Sequence, residues 1–186
     1  MPKDAGYYFT DIIFENRHLC DLKVTSGLIG VSDAFDMDFF AGIGAKFPLG
    51  NFPVELAIAN TGSEQLVTFS RILFSKMPVA RVELAMKRTT IFEPNQFSVD
   101  SGTACYYDMD AIDELDEDAD LIDEIEKKLE PSYAHTRTWY VHEGSHNNIA
   151  FFTSGLGDGS CKSYIAYDAG NNICQFIIDF GIFLEQ

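Results

Sequence analysis

Two Ser-Gly stretches hold most of the glycine and carboxylate chemistry of this 186-residue chain. The first is VDSGTACYYD, Val99–Asp108, and the second is TSGLGDGSCKSY, Thr153–Tyr164. Asp100 and Ser101 in the first, Asp158 in the second and Asp179 further on are the candidate catalytic residues of a hydrolase-like site. Gly102, Ser154, Gly155, Gly157 and Gly159 are the candidate ligand-binding residues, because alternating glycines let a backbone approach a ligand closely or take φ > 0. A structural reading competes and is favoured. No GxSxG elbow surrounds Ser101. An Asp before Ser-Gly accepts backbone N–H bonds in an Asx-type turn, and the glycines suit a bulged strand-to-strand turn. The catalytic reading requires the two turns to be neighbours in space.

Three other motifs are weaker. His142-Glu143-Gly144-Ser145-His146 matches HExxH, which binds zinc when a helix sets both histidines on one face. Here Gly144 and Ser145 interrupt, strand-like runs flank the motif, and a hairpin tip is expected. Asp116, Asp118 and Asp120 match the first ligand positions of an EF-hand loop. Leu121 and Lys127 then occupy the positions that need Gly and Glu, so the match fails. Gly42-Ile43-Gly44 lacks the following glycine and helix of a dinucleotide loop. No metal or cofactor is predicted.

The elements that carry these residues are mainly strands. Leu22–Thr25 and Leu28–Val31 flank Ser26-Gly27, a hairpin signal. Val54–Ala59, Gln65–Ser75 and Val79–Met86 alternate apolar and polar residues, as half-buried strands do. Arg71 marks a face that reaches solvent or a carboxylate. Thr138–Val141 pairs with Ile149–Thr153, and Ser163–Tyr167 pairs with the nearly continuous apolar run Ile173–Phe180, a central strand. Between these sets, Ile112, Leu115, Ala119, Ile122, Ile125 and Leu129 have helical spacing. Lys127 and Lys128 suit the C-terminal end of the helix dipole, and Pro131 stops the helix. The predicted fold class is α+β: mostly antiparallel β-sheet, sandwich-like, with one amphipathic acidic helix at about 108–130. The length predicts one globular domain over residues 1–186.

The formal net charge is -16, and twelve acids against two lysines between Asp108 and Glu130 account for -10 of it. That balance argues against nucleic acid or an anionic membrane, both of which need Lys and Arg to meet phosphate. An acidic face built from Asp113, Asp116, Glu117, Asp118, Asp120 and Glu124 suits a basic protein partner, since such charge raises association rates and sets specificity. No export signal or membrane-spanning run is read. The four cysteines (Cys20, Cys105, Cys161 and Cys174) show no CxxC spacing. They are expected to be reduced, small buried hydrophobes in a cytoplasmic protein.

Several of these stretches together resemble a bacterial family of uncharacterised proteins, domain of unknown function 4241. VDSGTACYYD and SGLGDGSCKSY are the specific pieces. Gly50-Asn51-Phe52-Pro53-Val54, Arg71-Ile72-Leu73-Phe74-Ser75 and Val82-Glu83-Leu84-Ala85 add to them. Val82 stands where the family is expected to have Trp, and Cys161 where it is expected to have Tyr. The resemblance implies a bacterial cytosolic setting and no particular activity. The leading expectation is a non-enzymatic acidic binding protein, of immunity type, that caps a basic toxin. The alternative is a small-ligand- or metal-dependent enzyme at the two Ser-Gly turns.

Overall fold

The computed structural model describes residues 12–37, 42–62, 64–88, 94, 96–112, 121–130 and 138–183. For Leu121, Ile122, Glu124 and Glu126 it describes the backbone alone. In chain order the strands are β1 (Ile13–Val24), β2 (Ile29–Asp33), β3 (Gly50–Asn60), β4 (Gln65–Leu73), β5 (Arg81–Leu84), β6 (Gln96–Val99) and β7 (Thr103–Asp108). A helix follows, α1 (Leu121–Leu129), and then β8 (Trp139–Glu143), β9 (Asn148–Thr153), β10 (Gly159–Tyr167) and β11 (Ile173–Asp179).

The strands form two antiparallel sheets. The larger has the order β1-β3-β4-β11-β10-β5, with β6 also pairing β10 beyond the end of β5. The smaller has the order β2-β7-β9-β8. Strand alternation explains how they pack, because successive side chains point to opposite faces. Ala104 and Tyr106 of β7 and Ala150 and Phe152 of β9 point into a core shared with Leu22, Val54, Leu56, Ile72, Phe176 and Ile178 of the larger sheet. Cys105, Tyr107, Ile149 and Phe151, one residue out of phase, point the other way into a second core closed by Ile125 and Leu129 of α1. The smaller sheet is thus covered on both faces, and every residue of β9 is buried. Continuous apolar runs such as Ile149–Phe152 follow from that double burial. Ser70 of β4 donates to the Tyr106 hydroxyl at 2.9 Å, a polar contact between the sheets. Burial raises the Tyr106 phenol well above its ordinary pKa.

The antiparallel β prediction holds. β11 lies between β4 and β10, as its apolar run predicted. Arg71 meets a carboxylate: its Nε and Nη2 donate to Glu55 Oε2 at 2.8 and 2.6 Å. One expectation needs correction. Ser26-Gly27 does not close a hairpin, because β1 pairs β3 in the larger sheet while β2 pairs β7 in the smaller. Of the helix expected over 108–130, residues 110–112 are helical and Leu121–Leu129 form the nine-residue α1. Residues 113–120, including Leu115 and Ala119 of the predicted stripe, lie outside the described residues. No described helix is long and apolar enough to cross a membrane.

Candidate functional site

Each Ser-Gly pair sits where the chain crosses from one sheet to the other. The first corner joins β1 to β2 through Ser26-Gly27, the second joins β6 to β7 through Ser101-Gly102, and the third joins β9 to β10 through Ser154-Gly155. Such a crossing turns the chain sharply, and Gly102 takes a φ of 71° that residues with a side chain rarely adopt. The serine hydroxyls satisfy the turns' own backbone. Ser26 Oγ accepts from Leu28 N at 3.0 Å, Ser101 Oγ accepts from Thr103 N at 3.2 Å, and Ser154 Oγ donates to the Gly157 carbonyl at 2.8 Å.

Two buried aspartates hold the first two corners reciprocally. β2 begins at the first corner and ends in Asp33, which is 4% exposed. Asp33 Oδ2 accepts from Asp100 N and Ser101 N of the second corner, both at 2.8 Å, and its Oδ1 accepts from Phe35 N at 2.9 Å. β7 begins at the second corner and ends in the fully buried Asp108. Asp108 accepts from Thr25 N at 3.0 Å and Ser26 N at 3.1 Å, both in the first corner, and from Asp110 N at 3.0 Å. Because β2 and β7 pair antiparallel, the last residue of each strand reaches the corner that starts the other. Burying a carboxylate is tolerated here because several N–H donors replace its water.

The second and third corners are neighbours. Ser154 N donates to the Gly102 carbonyl at 3.1 Å, and a Cβ on Gly102 would lie 3.5 Å from Gly157 Cα. The β6–β10 ladder ends at Val99 opposite Gly159, so Asp100 and Asp158 are the next residues on their strands, both exposed. The chain after Asp179 packs on the third corner, since a Cβ on Gly155 would lie 2.8 Å from Ile182 Cδ1. The stretches that bear Asp100, Ser101, Asp158 and Asp179 therefore converge at one end of the molecule.

The side chains of Ser101 and Asp179 are engaged by nearby backbone. Asp179 Oδ1 accepts from Gly181 N at 2.8 Å. Ser101 Oγ both accepts from Thr103 N and donates to the Thr103 carbonyl at 3.2 Å. Thr103 lies opposite Thr153 at one end of β9, while His142 and His146 flank its other end. Ile149, opposite His142, is four strand residues from Thr153, about 14 Å at roughly 3.4 Å per residue, too far for either imidazole to take a proton from Ser101. His142 belongs to β8 and His146 to the tip beyond it, so no helix sets the HExxH pair on one face. Burial pushes the thiols of Cys105 and Cys161 up to about 12. Burial also pushes Cys20 up to about 12, with the charges of Glu143 and Asp21 adding to it. Cys174 is raised by burial as well. No cysteine is a ready thiolate nucleophile near neutral pH. Among the described residues, no group of three or more His, Cys, Asp or Glu stands together as a metal site.

A cleft of about 570 Å³ opens beside the second corner. Ser101 and Thr103 form one wall, Phe35 from the turn after β2 contributes a half-exposed ring, and Asp123, Lys127, Leu129 and Glu130 form the α1 side. Phe35, Thr103, Asp123, Lys127 and Glu130 are not legible as site residues from sequence, because they come from three separate segments. The Asp33 bonds bring two of those segments together. Of the predicted acidic face, Asp113, Asp116, Glu117, Asp118 and Asp120 lie outside the described residues, and only the backbone of Glu124 is described.

No curated protein and no solved structure matches the chain. With residues 22–178 matching the model of the family described as Protein of unknown function (DUF4241), well over half of the chain, this protein belongs to that family.

Proposed function

We propose that this protein is a non-enzymatic binding protein, of immunity type, that captures a basic segment of a partner protein in the cleft between the second corner and α1. The observation that carries the reading is the α1 wall, which sets Asp123 and Glu130 on a cleft in a chain of net charge -16. Phe35 offers a ring against which an Arg or Lys side chain can stack. The Ser101 and Ser154 hydroxyls are engaged in holding their own turns, which favours binding over nucleophilic chemistry. The test is calorimetric titration with an arginine- and lysine-rich decapeptide at low and high salt. The reading expects Asp123→Lys with Glu130→Lys to weaken binding at least tenfold. Glu143→Lys, at the far end of the smaller sheet, should change it little. Equal losses from both variants would mean that the peptide senses net charge alone, and the cleft reading would fail.

The contact between the second and third corners supports a second reading, a small-ligand site at their junction. Thermal shift with divalent metals and small anions tests it, and stabilisation lost in Asp158→Asn would favour it.

A further inference from the structure

We infer that β5 is a homodimerisation edge, through which two copies of this chain join their larger sheets edge to edge. β5 is a terminal strand of the sheet, β1 being the other, and among the described residues no strand pairs with its outer side. Ala85 N donates to the Ser163 carbonyl at 2.9 Å, and Ala85 continues the register in which Leu84 lies opposite Tyr164. Ladder bonds alternate along an antiparallel strand. Arg81 and Glu83 therefore bond toward β10, while the N–H and C=O groups of Val82 and Leu84 point to the open edge.

The side chains on that edge are apolar and uncovered: Val82 is 51% exposed and Leu84 44%, with Met77 at 57% and Val79 at 43% just before the strand. An exposed apolar edge of this kind invites strand pairing, and many proteins guard against it with charge. The charges here are of opposite sign, two residues apart, and centred on Val82. Arg81 and Glu83 pair with each other within the strand, and the Arg81 guanidinium lies 4.1 Å from the Tyr167 ring centroid.

That spacing is self-complementary. A two-fold axis through Val82 sets two β5 strands antiparallel with Val82 opposite Val82, the hydrogen-bonded position that its outward N–H and C=O require. Arg81 of each copy then faces Glu83 of the other, and the pairing stops short of Ala80, whose N–H already donates to the Tyr167 carbonyl at 2.8 Å. Such a C2 contact uses the same patch on both copies. A foreign strand would need matching charges in the reverse order, whereas a second copy supplies them without further design.

The test is sedimentation equilibrium of the full chain over a concentration series, with circular dichroism to verify folding. The wild type is expected at twice the 20.8 kDa chain mass. Arg81→Glu and Glu83→Arg each set like charges face to face at two symmetry-related positions. Each is expected to weaken dimerisation roughly tenfold to a hundredfold. The double swap, Arg81→Glu with Glu83→Arg, restores the pairing and the dimer. Val82→Pro removes only an outward N–H, so it leaves the β5–β10 ladder in place and abolishes the dimer. A wild type that stays monomeric at every concentration overturns the inference. So does a dimer indifferent to the single reversals, or one that the double swap fails to rescue.

Discussion

Replacing Asp33 by Asn tests the reciprocal lock between the corners. The carboxylate accepts three backbone N–H bonds, two on Oδ2 and one on Oδ1. An amide has one acceptor oxygen, so in its best orientation it keeps the Asp100 and Ser101 bonds and sets its own NH₂ against Phe35 N. One charge-assisted bond is then lost outright, at about 1.5–3 kcal/mol, and the other two weaken toward neutral bonds of about 1 kcal/mol. These terms sum to about 2.5–7 kcal/mol, and because a buried amide costs less desolvation than a buried carboxylate, the expected loss lies toward the lower end, about 3–4 kcal/mol, a large part of a typical total of roughly 5–15 kcal/mol. For a chain of this size it corresponds to a fall in Tm of roughly 6–16 °C. The single Trp, Trp139, reports urea unfolding by fluorescence. Amide hydrogen exchange supplies the local readout. Phe35 should exchange fastest in Asp33→Asn, Asp100 and Ser101 should exchange somewhat faster as their bonds weaken, and Thr25 and Ser26, held by Asp108, should keep their wild-type protection. A loss under about 1 kcal/mol with Asp100 and Ser101 still protected would refute the lock.

Other outcomes follow from the packing. Gly30→Ala sets a Cβ 2.1 Å from Tyr107 Cε2 in the strand opposite, so the ring must move. A fall of about 1–3 kcal/mol in urea stability is expected, and an unchanged midpoint would contradict it. Alkaline stability follows the buried thiols. Cys105 and Cys161 are raised from 9.0 to about 12, so their contribution is full below pH 9 and is lost as pH rises toward 12. Each thiol accounts for at most about 1.4 kcal/mol per pH unit in that window. The Cys105→Ala variant should therefore show a shallower decline in unfolding midpoint between pH 9 and 11. Ser101→Ala removes one neutral hydroxyl from an intact turn, so a stability loss of about 1 kcal/mol is expected.

The sequence carried the strands well, because period-two alternation and turn chemistry are local signals. Gln65–Ser75 and the Ile173–Phe180 run read directly as β4 and β11. What it carried poorly was which sheet each strand joins. Ser26-Gly27 and Ser101-Gly102 look like hairpin turns locally, and the decision to cross between sheets is made by carboxylates 67 to 83 residues away in sequence. Asp33 falls in a stretch without clear periodicity, so nothing local distinguishes it from a surface acid. The neighbourhood of the two Ser-Gly turns, posed as a requirement of the catalytic reading, is met in the fold. The hydroxyls, however, face their own backbone. The Phe35–Lys127 cleft was invisible for a similar reason: its walls meet only after Asp33 has fixed the second corner and Ile125 and Leu129 have seated α1 on the smaller sheet.

The most direct test of the binding account is amide chemical-shift mapping of the isotope-labelled protein titrated with the basic decapeptide at moderate salt. The account predicts saturable shifts concentrated at Phe35, Ser101, Thr103, Asp123, Lys127 and Glu130, fading as salt screens the charges. Shifts scattered over the acidic surface, or confined to residues remote from the second corner, would contradict it.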